Sequence, residues 1–476
     1  MSKGITPRNQ DYSRWYNDIV QKAELADYAP VKGCMVIRPY GFAIWENIHK
    51  QLDARIKESG AQNAYFPMLI PESYLQKEAE HVEGFAPECA VVTHGGGKKL
   101  EEPLVLRPTS ETIICAMFSK WIHSWRDLPM MVNQWANIVR WEMRPRLFLS
   151  TTEFLWQEGH TCHATREDAL EEALKMLEIY REFAEEQLAM PVLTGTKSLS
   201  EKFAGADITY PIETMTQDRR ALQAGTSHLL GQNFAKAFDI KFQDKDGELK
   251  YVWQTSWGVS TRLIGGIVMV HSDDNGLVLP PQVAPIKTVI IPIVKKDTDT
   301  TRLMTFCENL KNSMCAGDRV LLDSRDQYTP GWKFNEWEQK GVPVRIEIGP
   351  REVDSNTVVI CRRDTFEKKP MPLEGIEEYV EELHVEIQAN LLERAKKFLE
   401  ENTFDAETYE RFKEIIGDKG GFARGSWCGQ PECEELAKAE TMATIRVLPF
   451  DQPETHRPCV ICGKPGKALA VFAKAY

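Results

Sequence analysis

The sequence predicts a mixed α+β protein with a strand-rich α+β domain first, an α/β domain after it, and a small cysteine-bearing α+β segment last. Three observations carry this. Residues 1 to about 280 mix amphipathic helices with many short stretches rich in aromatic and β-branched residues. The proline-dense LVLPPQVAP (277–285) reads as a linker, and beyond it apolar strands alternate with helical patterns. Four of the eleven cysteines crowd the last fifty residues. A length of 476 residues fits about three domains. The expected boundaries are 1–283, 284–400 and 401–476.

Each element has its own signal. GFAIWENIHKQLDARIKESG (41–60) predicts a helix with Ile44, Ile48, Leu52 and Ile56 on one stripe and Gly60 as its stop. AYFPMLIP (64–71) reads as extended, with Pro67 suited to a strand end or edge. TREDALEEALKMLEIYREFAEEQL (165–188) predicts a second amphipathic helix. Past the linker, KTVIIPIV (287–294), VLLD (320–323), VPVRIEIG (342–349) and NTVVICRRD (356–364) read as strands, and GWKFNEWEQKG (331–341) as a helix. From 374 a long helix carries Ile376, Val380, Leu383, Ile387 and Leu391 on one face.

Composition removes several classes of function. Hydrophobic residues at 42% and charged residues at 27% are those of an ordinary globular protein. No apolar run approaches the ~20 residues that span a bilayer. The stretch MSKGITPRNQDYSRWYND is polar and predicts no secretory signal, so the cytoplasm is the expected compartment. An odd cysteine count opposes a disulfide framework, and Cys34, Cys89, Cys115, Cys162, Cys307, Cys315 and Cys361 are scattered singly. A net charge of -12 argues against indiscriminate nucleic-acid binding, while leaving room for a specific RNA met by a local basic surface.

RWEMRPRLFLSTTEFLWQEGHTCH (140–163) is the most informative stretch. If 154–162 is a strand, Phe154, Trp156, Glu158, His160 and Cys162 share one face. Two aromatics, an acid and an imidazole suit a ligand pocket better than a dry core, because an unpaired buried charge is costly. The same pattern also fits a solvated sheet face. Arg140 and Glu142 share a face on what reads as the preceding strand. His163 falls opposite His160 and Cys162, which disfavours a zinc site built from the three.

In SWGVSTRLIGGIVMVHSDDNGLVLPP (256–281), period two aligns Ser256, Gly258, Ser260 and Arg262. Small side chains ending in a guanidinium leave room for a flat ligand and its phosphates; a glycine-bearing strand packed on a helix is the plainer alternative. Asp274-Asn275-Gly276 reads as a turn. In LRPTSETIICAMFSKW (106–121), Thr109 and Glu111 open a helix. They either cap it, worth about 1 kcal/mol, or bind a substrate ammonium. GTKS (195–198) and HGGGKK (94–99) lack the phosphate-loop spacing GxxxxGK[ST]. Finally, Cys428-x₄-Cys433 is followed 25 residues later by Cys459-x₂-Cys462, two thiolate pairs suited to a structural Zn²⁺.

Together these segments resemble the class II aminoacyl-tRNA synthetases and, closely, prolyl-tRNA synthetases of the archaeal and eukaryotic-like type. The strings RPTSET, EFLWQEGHT, EKFAGAD, QAGTSHLLGQNFAKAF and HSDDNGLVLPPQVAP carry the resemblance, which extends over essentially the whole chain. It implies an antiparallel-sheet catalytic domain, an α/β anticodon-binding domain and a zinc-binding C-terminal domain. The first class motif would end around Pro67, the second would hold Arg140, Glu142 and Phe154, and the third would end in Arg262.

The implied reaction is ATP-dependent attachment of L-proline to tRNA(Pro) through prolyl-adenylate, with Mg²⁺ accompanying ATP. Arg140 and Arg262 would be catalytic; ATP would meet Arg140, Glu142, Phe154, Gln223, Thr226 and Arg262. Arg262 would stack on adenine opposite Phe154. Proline would meet Thr109, Glu111, Arg140, Trp156, Glu158, His160, Phe203 and His228. Glu338 and Arg345 would read anticodon bases, though by position alone they read as surface residues. A homodimer is the class expectation. About 60 residues separate His160 from Gln223, too few for the large editing domain of the bacterial type. A sister threonyl or glycyl enzyme, or a non-catalytic paralogue, is the alternative; the retained Arg140, Glu142 and Arg262 favour catalysis.

Overall fold

A computed structural model describes residues 4–75, 89–295, 298–314, 319–453 and 457–476. Cys315 lies outside them.

An eleven-stranded sheet among these residues organises the first domain. Its centre is antiparallel, in the order Ile208–Met215, Ala221–Gly231, Trp253–Ser260, Glu153–His163, Met130–Val139. Helices cover one face. Arg166–Glu186 begins on Thr165, whose hydroxyl accepts the Asp168 N–H at 3.1 Å, with Glu167 and Asp168 complementing the helix dipole. Its Tyr180 donates a 2.6 Å hydrogen bond to Gln157, on the side of the Glu153–His163 strand that faces the helix. The Pro39–Glu58 helix starts on a proline and buries Ile44, Ile48, Leu52 and Ile56 fully, as their spacing predicts. The opposite face of the central strands is left open.

Three local expectations change. The Met130–Val139 strand stops before Arg140 and Glu142, which lie in the loop joining it to Glu153–His163. Arg262 is the first residue of the Arg262–His271 helix, one step past the Trp253–Ser260 strand and its turn. Pro67 lies between the short strands Gln62–Asn63 and Leu69–Pro71, in neither. For both arginines a period-two reading was carried past a strand end; Pro67 instead falls in the gap where an extended segment is broken into two short strands.

The α/β domain has a five-stranded sheet ordered Val320–Leu322, Thr288–Pro292, Val344–Ile348, Thr357–Arg362, Lys368–Pro372, parallel over the first three and antiparallel after. The Ile376–Glu401 helix buries Ile376, Val380, Leu383, Ile387 and Leu391 against it. The expected turn at Asp274–Gly276 is present and also acts as a strut. Asp273 caps it through the N–H groups of Asn275 and Gly276, and Arg363 grips the same carboxylate with two bonds of 2.8 Å. Gly276 has φ +145°, and a Cβ there would sit 2.5 Å from Gln339 Cα, so only glycine fits this junction.

The C-terminal segment has its own core around Phe412, Ile445 and Phe472. Its strands also extend the first sheet, through Leu448 opposite Thr196 and Pro449 opposite Gly195. At that seam Arg446 donates to buried Glu213 at 2.8 Å, and Lys197 donates to the same carboxylate at 2.8 Å.

Candidate active site

The open sheet face forms a cleft of about 220 Å³. Thr109, Glu111, Arg140, Phe154, Trp156, Glu158, His160, Phe203, Gln223, Thr226, His228 and Arg262 line it, joined by Ser256, Gly258 and Ser260. Cross-strand register explains how distant segments meet: Glu158 pairs with Gln134 on one side and Gly258 on the other, and His160 with Val132 and Ser256. Gly258 keeps the floor flat, since a Cβ there would lie 2.9 Å from the Gln157 carbonyl oxygen.

One end is anionic and tightly held. Glu158 is 2% exposed and accepts hydrogen bonds from Ser110 Oγ, from Gln134 Nε2 and, at 2.9 Å, from His160 Nε2. Burial alone would lower the His160 pKa, but the Glu158 carboxylate overrides it and the net shift is upward. Thr109 donates to Glu111, and Ser110, the residue before the Glu111–Trp121 helix, makes no side-chain cap bond. Glu111 still complements the helix dipole from the first turn, as the plainer alternative expects, but no side-chain cap bond accompanies it. A buried carboxylate pair with an adjoining hydroxyl is suited to a small cation such as an ammonium.

The other end is cationic. Arg140 donates to the Pro108 carbonyl at 2.9 Å, and its guanidinium stands 5.8 Å from both the Phe154 and Trp156 rings. Arg262 donates to the Leu149 carbonyl at 3.0 Å, and burial with Arg140 nearby lowers its pKa. Two guanidiniums anchored by backbone carbonyls keep donors in place for phosphate oxygens. Phe154 thus stands beside Arg140. Glu142 is half-buried on its loop and is not among the cleft-lining residues; its carboxylate acts on Arg262 at longer range.

Sequence reasoning missed Ser110, Gln134 and Thr209. Gln134 accepts the Phe66 N–H at 3.1 Å, which orients its amide so that Nε2 faces Glu158. Neighbouring RPTSET was a visible signal for Ser110; nothing local marked Gln134 or Thr209.

Two further clusters lie apart. Arg345 is 6% exposed, so the surface-residue reading fails for it. It donates to Glu338 at 2.9 Å and to Glu347 at 3.0 Å, beneath a small pocket that Cys361 and Arg363 also line. The Sγ atoms of Cys428, Cys433, Cys459 and Cys462 all lie within 4.8 Å of one another, with Cys428 3.5 Å from Cys433 and 3.7 Å from Cys462. Metal–sulfur bonds of about 2.3 Å around a tetrahedral ion require sulfurs about 3.8 Å apart. These four thiols could hold one.

Known proteins agree with this arrangement. Residues 93–271 match the tRNA synthetase class II core domain (G, H, P, S and T), 287–383 an anticodon binding domain, and 409–476 the C-terminal domain of prolyl-tRNA synthetase. The chain is 57% identical to the proline–tRNA ligase of Chloroherpeton thalassium over all of both chains. It is 56% identical to the chloroplastic/mitochondrial proline–tRNA ligase of Arabidopsis thaliana, over 100% of this chain and 88% of that one. It is also similar to the crystal structure of Cryptosporidium parvum prolyl-tRNA synthetase complexed with halofuginone and AMPPNP. That match has a TM-score of 0.94 and 42% identity, and covers 100% of this chain and 98% of that one. The chain belongs to the prolyl-tRNA synthetase family.

Proposed function

We infer that the chain activates L-proline with MgATP and transfers it to tRNA(Pro). The observation that carries this reading is the polarity of the cleft: buried carboxylates at one end, two anchored guanidiniums at the other, on a flat antiparallel floor. An amino acid fits between them by its own charges. Thr109 and Glu111 take the secondary ammonium, and Trp156, Glu158, His160, Phe203 and His228 enclose the ring. Arg140 takes the carboxylate and the α-phosphate. Attack of the carboxylate on the α-phosphorus breaks the bond to pyrophosphate, and Arg140 stabilises the charge that develops. Arg262 holds the γ-phosphate, while Phe154, Gln223 and Thr226 receive the rest of the nucleotide. Glu142 accepts from the adenine amino group. A ribose hydroxyl of the tRNA 3′-terminal adenosine then attacks the acyl carbon, releasing AMP.

Glu338 and Arg345 read anticodon bases, a role supported by paired donors and acceptors held at one pocket. Cys428, Cys433, Cys459 and Cys462 hold a structural Zn²⁺. The domains divide at 283 and 400, and the chain works as a cytoplasmic homodimer. No disulfide joins two described cysteines, which suits a reducing compartment, and no helix among the described residues is long and apolar enough to cross a membrane. The test is charging of a tRNA(Pro) transcript: acid-precipitable proline that requires ATP supports the reading, and charging with another amino acid in preference overturns it.

A further inference from the structure

A single row of cross-strand partners crosses the cleft floor: Thr209, His228, Ser256, His160 and Val132, each paired with the next. His228 Nδ1 lies 2.9 Å from Thr209 Oγ1. That oxygen already accepts the Phe203 backbone N–H at 2.9 Å, and Thr209 is 2% exposed. A hydroxyl has one proton to donate and two lone pairs. Among the described residues, His228 Nδ1 is the acceptor that the Thr209 proton has. Were Nδ1 protonated instead, the hydroxyl proton would be buried without a partner, which is the costlier arrangement. The imidazole proton therefore belongs on Nε2, on the ring edge away from Thr209, where no protein partner is recorded among the described residues.

We propose that Thr209 is a positioning residue that locks His228 in its Nε2–H tautomer, so that the imidazole presents an N–H donor, not a lone pair, to the proline pocket. This rests on the amino-acid reading of the cleft given above. Proline carries N–H donors on its ammonium, and a donor edge cannot accept from them, which leaves the ammonium to Thr109 and Glu111. The other tautomer would present a bare lone pair and compete with Glu111 for the ammonium. Thr209 thus helps sort which end of the amino acid lies where. Burial holds the His228 pKa at about 4, with Glu111 acting upward and His160 downward, so the ring is neutral at neutral pH and its tautomer matters.

The test uses the full chain labelled with ¹⁵N-histidine. Long-range ¹H–¹⁵N spectra, with the His228 signals assigned by their loss in His228→Gln, should show the Nε2–H pattern in the unsubstituted protein. In proline-dependent pyrophosphate exchange, Thr209→Val should raise the KM for proline about tenfold and leave the KM for ATP unchanged. Thr209→Ser, which keeps the hydroxyl, should retain both. An Nδ1–H pattern in the unsubstituted protein overturns the proposal. So does a valine variant with an unchanged KM for proline, or one whose KM for ATP rises equally, the mark of a merely structural effect. If the valine variant does not fold, the tautomer spectra of the unsubstituted protein and Thr209→Ser decide alone. Exchange that ignores proline while His228 shows Nε2–H would instead overturn the amino-acid reading.

Discussion

Replacing Glu213 by glutamine leaves two buried cations facing each other. The Glu213 side chain is 0% exposed, and those of Lys197 and Arg446 are 2% and 9% exposed. Both cations donate to its carboxylate at 2.8 Å. Burial already lowers the Lys197 pKa, and Glu213 is the main influence opposing it. Without the carboxylate, Arg446 keeps a 2.9 Å hydrogen bond to the Thr444 hydroxyl and, as an anionic partner, Glu201 at 3.8 Å. Breaking a buried pair by removing one partner costs about 3–5 kcal/mol. An unfolding entropy of about 2.1 cal/mol/K per residue, summed over this chain, comes to about 1 kcal/mol/K, so Tm should fall by about 3–5 °C. Calorimetry on Glu213→Gln reads this directly. Adding Lys197→Met removes one stranded cation and should recover part of the loss. A Tm within about 1 °C of the unsubstituted protein, or a double variant whose losses simply add, would refute the reasoning.

Three other perturbations have signed outcomes. Burial lowers the pKa of His163 and His228 to about 4 and of His271 to about 3, so between these values and the ordinary value of about 6.5 the unfolded chain binds more protons. Stability should therefore fall as pH drops from about 6.5 towards 4, by about 1.4 kcal/mol per pH unit for each histidine. His160, raised on balance by Glu158, adds a contribution of the opposite sign that is lost as pH rises through its folded pKa. Denaturant midpoints measured from pH 4 to 7.5 check this, and a flat profile contradicts it. Glu338→Ala should raise the KM for tRNA and leave pyrophosphate exchange unchanged; a loss of exchange would place Glu338 in the catalytic fold instead. Elemental analysis should find one zinc per chain, absent in Cys433→Ser together with a lower Tm; metal-free protein of unchanged Tm would contradict this.

Much of the site was legible because strand period is a local property. The alternation over Phe154, Trp156, Glu158 and His160 survives in the cleft, and so does that of Ser256, Gly258 and Ser260. Period says nothing about register, however, and register decides which strands lie side by side. Gln134 reaches Glu158 through a pairing 24 positions apart in sequence, and Arg446 reaches Glu213 across 233. No local pattern encodes either. The misplacements of Arg140 and Arg262 have a different cause: both arginines act from just beyond a strand end, where carbonyls freed from the ladder can anchor a guanidinium. Arg345 was misread because an arginine on a short strand is usually exposed, while here Glu338 and Glu347 compensate its burial.

The central claim, that this cleft joins proline to AMP, is tested most directly by ATP–pyrophosphate exchange with each amino acid in turn, run beside Arg140→Ala. Exchange should be strongest with proline and should be lost in the variant while its Tm stays unchanged. Exchange strongest with another amino acid, or surviving intact in Arg140→Ala, would contradict the account.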